Sequence, residues 1–151
     1  MESIRVRNKD TYKIEVNDNG DFIEFDLTDI ELPFRLERAQ KMARDAQTWL
    51  KAQQVIIDKK KDVAKKGDLM TAKERAILEA FREAFQKMRA AIDEFAGEGA
   101  SQKIFGNQNY IEMFNDFMEA MEPHLDKMQL KSIDIRKRIE EKYSNVADDE
   151  I

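Results

Sequence analysis

Tyr12-Lys-Ile-Glu-Val-Asn-Asp-Asn-Gly20-Asp-Phe-Ile-Glu-Phe-Asp-Leu27 is the one stretch of this chain whose apolar residues recur at every second position. Tyr12, Ile14 and Val16 alternate with polar residues, Asn17 to Gly20 carry turn chemistry, and Ile23, Phe25 and Leu27 alternate again. Period two on both sides of an Asn-Gly pair predicts a β-hairpin. With Asn19-Gly20 as a two-residue type I′ turn, Val16 pairs with Ile23, Ile14 with Phe25 and Tyr12 with Leu27, so all six share one face. The opposite face sets Lys13 against Asp26 and Glu15 against Glu24, a mixture suited to solvent. A lone hairpin is marginal in water, so its apolar face must rest on something else.

Residues 15–26 also fall loosely on a calcium-loop pattern, with Asn17, Asn19 and Gly20 at its third, fifth and sixth positions. Glu15 and Asp26 are the wrong residues for its first and twelfth positions, and the flanks alternate as strands rather than helices. The hairpin is the better reading.

Everything after the hairpin is patterned for helices. Asp29 to Pro33 reads as a connector, with Pro33 suited to a first helical turn because its missing donor costs nothing there. Leu36, Ala39, Ala43, Ala46, Leu50, Gln53, Ile57 and Ala64 then form a heptad seam, widened by Met42, Trp49, Ile56 and Val63. This helix is expected to run into Asp58-Lys-Lys-Lys-Asp-Val-Ala-Lys-Lys-Gly67, with the lysines facing the negative end of the dipole and Gly67 as C-cap. Thr71 and Glu74 have the spacing of a capping box for a second helix. Its stripe is Ile77, Leu78, Phe81, Ala84, Phe85, Met88, Ala91, Ile92 and Phe95, and it stops at Gly97 or Gly99. After a glycine-rich interruption, a third helical region starts near Asn109 as N-cap and carries Ile111, Met113, Phe114, Phe117, Met118, Met121, Leu125 and Met128. Pro123 should kink it or end it early. Ser132 then caps a last helix through Ile133, Ile135, Ile139 and Tyr143.

The expectation is a mainly α protein, an N-terminal β-hairpin packed on a bundle of about three to five helices. One domain covers residues 1–143, with the hairpin at 12–27 and the bundle at 33–143, and residues 144–151 form a frayed polar tail. A chain of 151 residues suits a single domain. Its 38% charged residues would suggest disorder, but 42% apolar residues in periodic order supply a core.

Net charge -5 and a pI near 5.1 set a field that repels nucleic acid and anionic lipid, so neither is an expected partner. No signal-peptide core or membrane-length apolar run occurs. Cysteine is absent, which removes disulfides, thiolate metal sites and cysteine nucleophiles and fits a reducing cytoplasm. His124, the only histidine, has no second histidine or cysteine to complete a metal or nucleophile set, and no serine sits in a nucleophile elbow. Gly97-Glu-Gly99 lacks the lysine and preceding strand of a phosphate loop. These residues predict no enzyme, no cofactor and no metal.

Ile104, Phe105, Phe114, Phe117, Met118 and Met121 give more apolar bulk than one helix stripe needs. They read either as ordinary core or as an adaptable protein-binding surface, since unbranched, polarizable methionines accommodate varied partners.

The order of parts resembles the tail assembly chaperones of long-tailed phages and prophages of Gram-positive bacteria. The resemblance rests on the hairpin leading into Phe25-Asp-Leu-Thr-Asp-Ile-Glu-Leu-Pro-Phe34, the lysine-rich helix end, Gly97-Glu-Gly-Ala-Ser-Gln-Lys-Ile-Phe-Gly106, Met113-Phe-Asn-Asp-Phe-Met118 and Glu122-Pro-His-Leu125. It implies a protein of the host cytoplasm, absent from the mature virion, that binds the tape measure protein, keeps its long hydrophobic helices soluble and helps recruit tail tube subunits. In such families a translational frameshift often yields a longer form, of which this chain would be the shorter counterpart. The resemblance carries no catalytic motif. The alternative is a self-assembling helical structural or adaptor protein of the phage tail, a homo-oligomer that buries its aromatic clusters and assembles through the long first helix.

Overall fold

The computed structural model describes residues 1–6 and 10–149. Among these the elements run β1 (Thr11–Glu15), β2 (Phe22–Asp26), α1 (Glu31–Asp58), α2 (Ala72–Ala96), α3 (Ala100–Phe105), α4 (Met113–Lys127) and α5 (Ser132–Asp149). The molecule is mainly helical, with the two strands forming an antiparallel hairpin.

The hairpin forms with the expected face inward but a different register. Tyr12 pairs with Phe25, Lys13 with Glu24 and Ile14 with Ile23, a shift of two residues from the Asn-Gly turn alignment. Only Gly20 in the turn has positive φ (84°), whereas a type I′ turn needs it at both central residues. The loop instead has four residues, Asn17 to Gly20, closed by the Val16 amide donating to the Asp21 carbonyl. The Asn17 side-chain oxygen holds it, accepting from the amides of Asn19 (2.9 Å) and Asp21 (3.2 Å). A shift of two keeps the same residues on the core face and replaces the Glu15–Glu24 opposition with Lys13 opposite Glu24.

Ile23 and Phe25 are buried on the helices, Phe25 stacking on Phe95 with ring centroids 4.8 Å apart. The Asn17 carboxamide also donates to the Lys103 carbonyl, tying the turn to α3.

α1 and α2 run antiparallel. Arg38 bonds Glu94 at 2.7 Å near one end, and Lys87 lies over the Trp49 ring near the middle. Ala39, Ala46, Ala80, Ala84 and Ala91 are buried between and around them, and such small side chains permit close approach. α1 ends at Asp58, earlier than its seam predicted. Ile57 is its last buried residue, and every residue from Asp58 to Leu69 is exposed. With nothing to pack on, continuing the helix has no compensating gain. Residues 59–71 are therefore a connector, Val63 and Ala64 lie off the seam, and Gly67 (φ 89°) serves a turn rather than a helix cap.

The capping box at Thr71 forms with both bonds, Glu74 amide to Thr71 hydroxyl (3.0 Å) and Thr71 amide to Glu74 carboxylate (2.9 Å). α2 stops at Gly97, whose φ of 104° suits glycine. The segment after it is not simply loop. Gly99 turns left-handed, the Asp93 carboxylate accepts from the Ser101 amide at 2.8 Å, and one and a half turns of α3 follow.

α4 begins after Glu112 rather than at Asn109. The Asn109 side chain accepts from Arg89, which also donates to the Gln108 carbonyl and covers the Phe105 ring, so the loop is clamped to α2. Pro123 does not end the helix, which continues to Lys127. The expected polar tail is also helical further than the sequence indicated, since α5 extends to Asp149.

Candidate functional site

Ala39, Ala43 and Ala91 set a low floor between α1 and α2. α4 lies over that floor with larger residues, and the mismatch in side-chain size leaves an open groove of about 370 Å³. Its walls are Leu36 from α1, Met88, Ile92 and Phe95 from α2, and Phe114, Phe117, Met118, Met121 and Leu125 from α4. Gln40 and Arg44 are its polar lining residues, and Arg44 is the charged one.

A second hollow, of about 310 Å³, lies on the other side of α4, between the hairpin, α3 and α4. Ile14, Val16, Ile23, Ile104, Phe105 and Met113 line it together with Glu15, Tyr110, Asp116 and His124. Phe117 and Met121 border both hollows, so α4 is the partition between them.

The six candidate residues divide accordingly. Phe114 and Met121 are buried at 8% and 4% exposure and belong to the core as well as to the groove wall. Phe105 stacks edge-on against Phe114 (5.5 Å) and Phe117 (6.1 Å), and Phe85 against Phe114 (5.1 Å), an aromatic ladder joining α2, α3 and α4. Ile104, Phe105 and Phe117 are half-buried. Met118 is exposed and stands at the groove mouth.

The groove face of α1 and α2 was not among the sequence candidates. Its signal was the run of alanines at seam positions, which pack two helices closely but cannot fill the space under a third.

His124 is engaged structurally, sharing a 2.8 Å hydrogen bond through Nδ1 with the Tyr12 hydroxyl and meeting its ring edge-on, which pins the hairpin to α4. Lys131 reaches both Glu122 and Asp126 at 2.8 Å, joining the start of α5 to α4. Hydrogen bonds to Asp126 and then Glu122 hold its ammonium charged well above the ordinary lysine range.

Among the described residues no group of three His, Cys, Asp or Glu is placed to hold a metal, and no helix is long and apolar enough to cross a membrane. The geometry offers an apolar slot.

No protein-family model, curated protein or solved structure matches this chain.

Proposed function

We propose that the chain is a non-catalytic tail assembly chaperone of a long-tailed phage or prophage of Gram-positive bacteria. In this reading it binds the tape measure protein in the host cytoplasm, keeps it soluble, helps recruit tail tube subunits and leaves the finished particle. The supporting observation is the groove between α1, α2 and α4, open to solvent, nearly free of charge, and walled by Phe117 and Met118. A groove of this kind accepts the apolar face of a helix. Met118 at its mouth adapts to a client whose apolar residues vary along its length, while the acidic exterior keeps a complex in solution.

The test is co-expression with the tape measure protein from the same gene cluster, reading its soluble fraction and its retention on the tagged chain. Met118→Glu should lower retention about tenfold or more, because one buried side chain contributes roughly 1.5–3 kcal/mol. Leu78→Glu, on the exposed part of α2 away from the groove, should leave it unchanged. Equal retention by all three proteins, or none by the wild type, removes the reading.

A structural tail component is favoured by one feature, the exposed apolar residues along α5. Mass spectrometry of purified virions separates the two, since a chaperone is absent from particles and a component is retained.

A further inference from the structure

Past its first turn, α5 carries an apolar stripe that no other described residue of the chain covers. Ile135 packs against the core, and the Arg138 guanidinium donates to the Gln129 carbonyl, fixing the start of the helix. Beyond that anchor Ile139, Tyr143 and Val146 are 60%, 75% and 57% exposed. At 100° per residue they fall with Ile135 on one side of the helix. The groove is the complementary defect, an apolar slot in which none of the described residues is seated.

The two fit in length. Phe114 to Leu125 along the groove wall and Ile135 to Val146 along the stripe each advance eleven residues, about 17 Å at the helical rise. They also fit in charge. The α4 rim carries Glu119, exposed and without an ion partner among the described residues, alongside Glu122 and Asp126, which share Lys131, while Arg44 stands in the α1 wall. On α5, Lys142 and then Arg138 border one edge of the stripe, and Arg136 and then Glu140 border the other. Laid in the groove, the Lys142 and Arg138 edge meets the acidic α4 rim. Pairing of α5 with another α5 is the poorer use of the stripe, because it covers less than two heptads.

We propose that α5 of one copy docks in the α1–α2–α4 groove of a second copy, so that the chain associates with itself through the surface that would otherwise take a client helix. If the exchange is reciprocal the dimer closes with twofold symmetry, and if it is one-way the chain extends.

The experiment is sedimentation of the full chain without any tape measure protein, so its outcome is independent of the chaperone reading. Wild type should associate at micromolar concentration. Ile139→Glu with Tyr143→Glu, and separately Met118→Glu, should each weaken association about tenfold or more. All three positions are exposed, so helical circular dichroism should be unchanged. Mixing the two variants should restore association, because one intact helix then meets one intact groove. The absence of cysteine allows a second measurement. Met118→Cys and Tyr143→Cys proteins, mixed and oxidised, should form a mixed disulfide between copies. A monomeric wild type, or a groove variant that associates as well as wild type, overturns the proposal, as does a mixture that yields no mixed disulfide.

Discussion

Gln129 holds a left-handed backbone (φ 57°), the one positive φ outside glycine among the described residues. The reason is the end of α4. The Leu130 amide bonds the Leu125 carbonyl and the Gln129 amide bonds the Asp126 carbonyl, the double closure in which a left-handed residue follows the C-cap. Leu130 is thereby turned inward and buried at 4% exposure. Side-chain crowding in this conformation costs about 1–2 kcal/mol, and glycine avoids it while losing more entropy on folding. Gln129→Gly should stabilise the protein by roughly 0.5–1 kcal/mol. A urea midpoint that stays put or falls would show that the Gln129 side chain contributes more than its backbone costs.

Elements show where local sequence decides and where it does not. The hairpin turn is a case of rival local signals. Asn19-Gly20 is the stronger two-residue pattern, yet the side chain of Asn17 closes a longer loop and wins. Asn17→Ala should therefore destabilise by about 1 kcal/mol or more, by removing acceptors from two amides and the tie to Lys103, whereas Asn19→Ala should change stability by less than about 0.5 kcal/mol. The opposite ranking in chemical denaturation would restore the two-residue turn.

The capping box of α2 and the stop at Gly97 were legible because both partners lie within a few residues. α3 was not, since its amide cap comes from Asp93, eight residues upstream and inside another helix. The early end of α1 was hidden for the opposite reason. Residues beyond Ile57 keep the period, and only the lack of a packing partner, a tertiary fact, stops the helix. That connector offers Lys59, Lys60, Lys61, Lys65 and Lys66 in exposed, non-helical or fraying backbone. Brief trypsin treatment should cut there first, leaving two fragments that stay associated through α1 and α2. First cleavage inside either of those helices would contradict the boundary.

At the scale of the molecule, β1, β2, α1, α2, α3 and α4 share one core, and α5 enters it through Ile135. Since residues 140–146 are exposed, removing residues 140–151 should shift the thermal midpoint of dilute protein by no more than about 2 °C. A large drop would mean that the helix supports its own body. The fold class was readable from the change of period from two to 3.6 alone. The groove was only half readable. The Phe and Met residues of α4 announced a surface, but its floor is made of alanines on α1 and α2, residues that look like ordinary close packing until a third helix is laid across them.

Trp49, the single tryptophan, sits under Lys87 at the α1–α2 contact and outside both hollows. Its fluorescence is therefore a built-in gauge of one thing, whether the two long helices remain zipped together. A client that merely settles into the groove leaves that emission unchanged, whereas one that prises α1 from α2 turns the signal red. A single spectrum can thus tell docking from opening, with no dye attached.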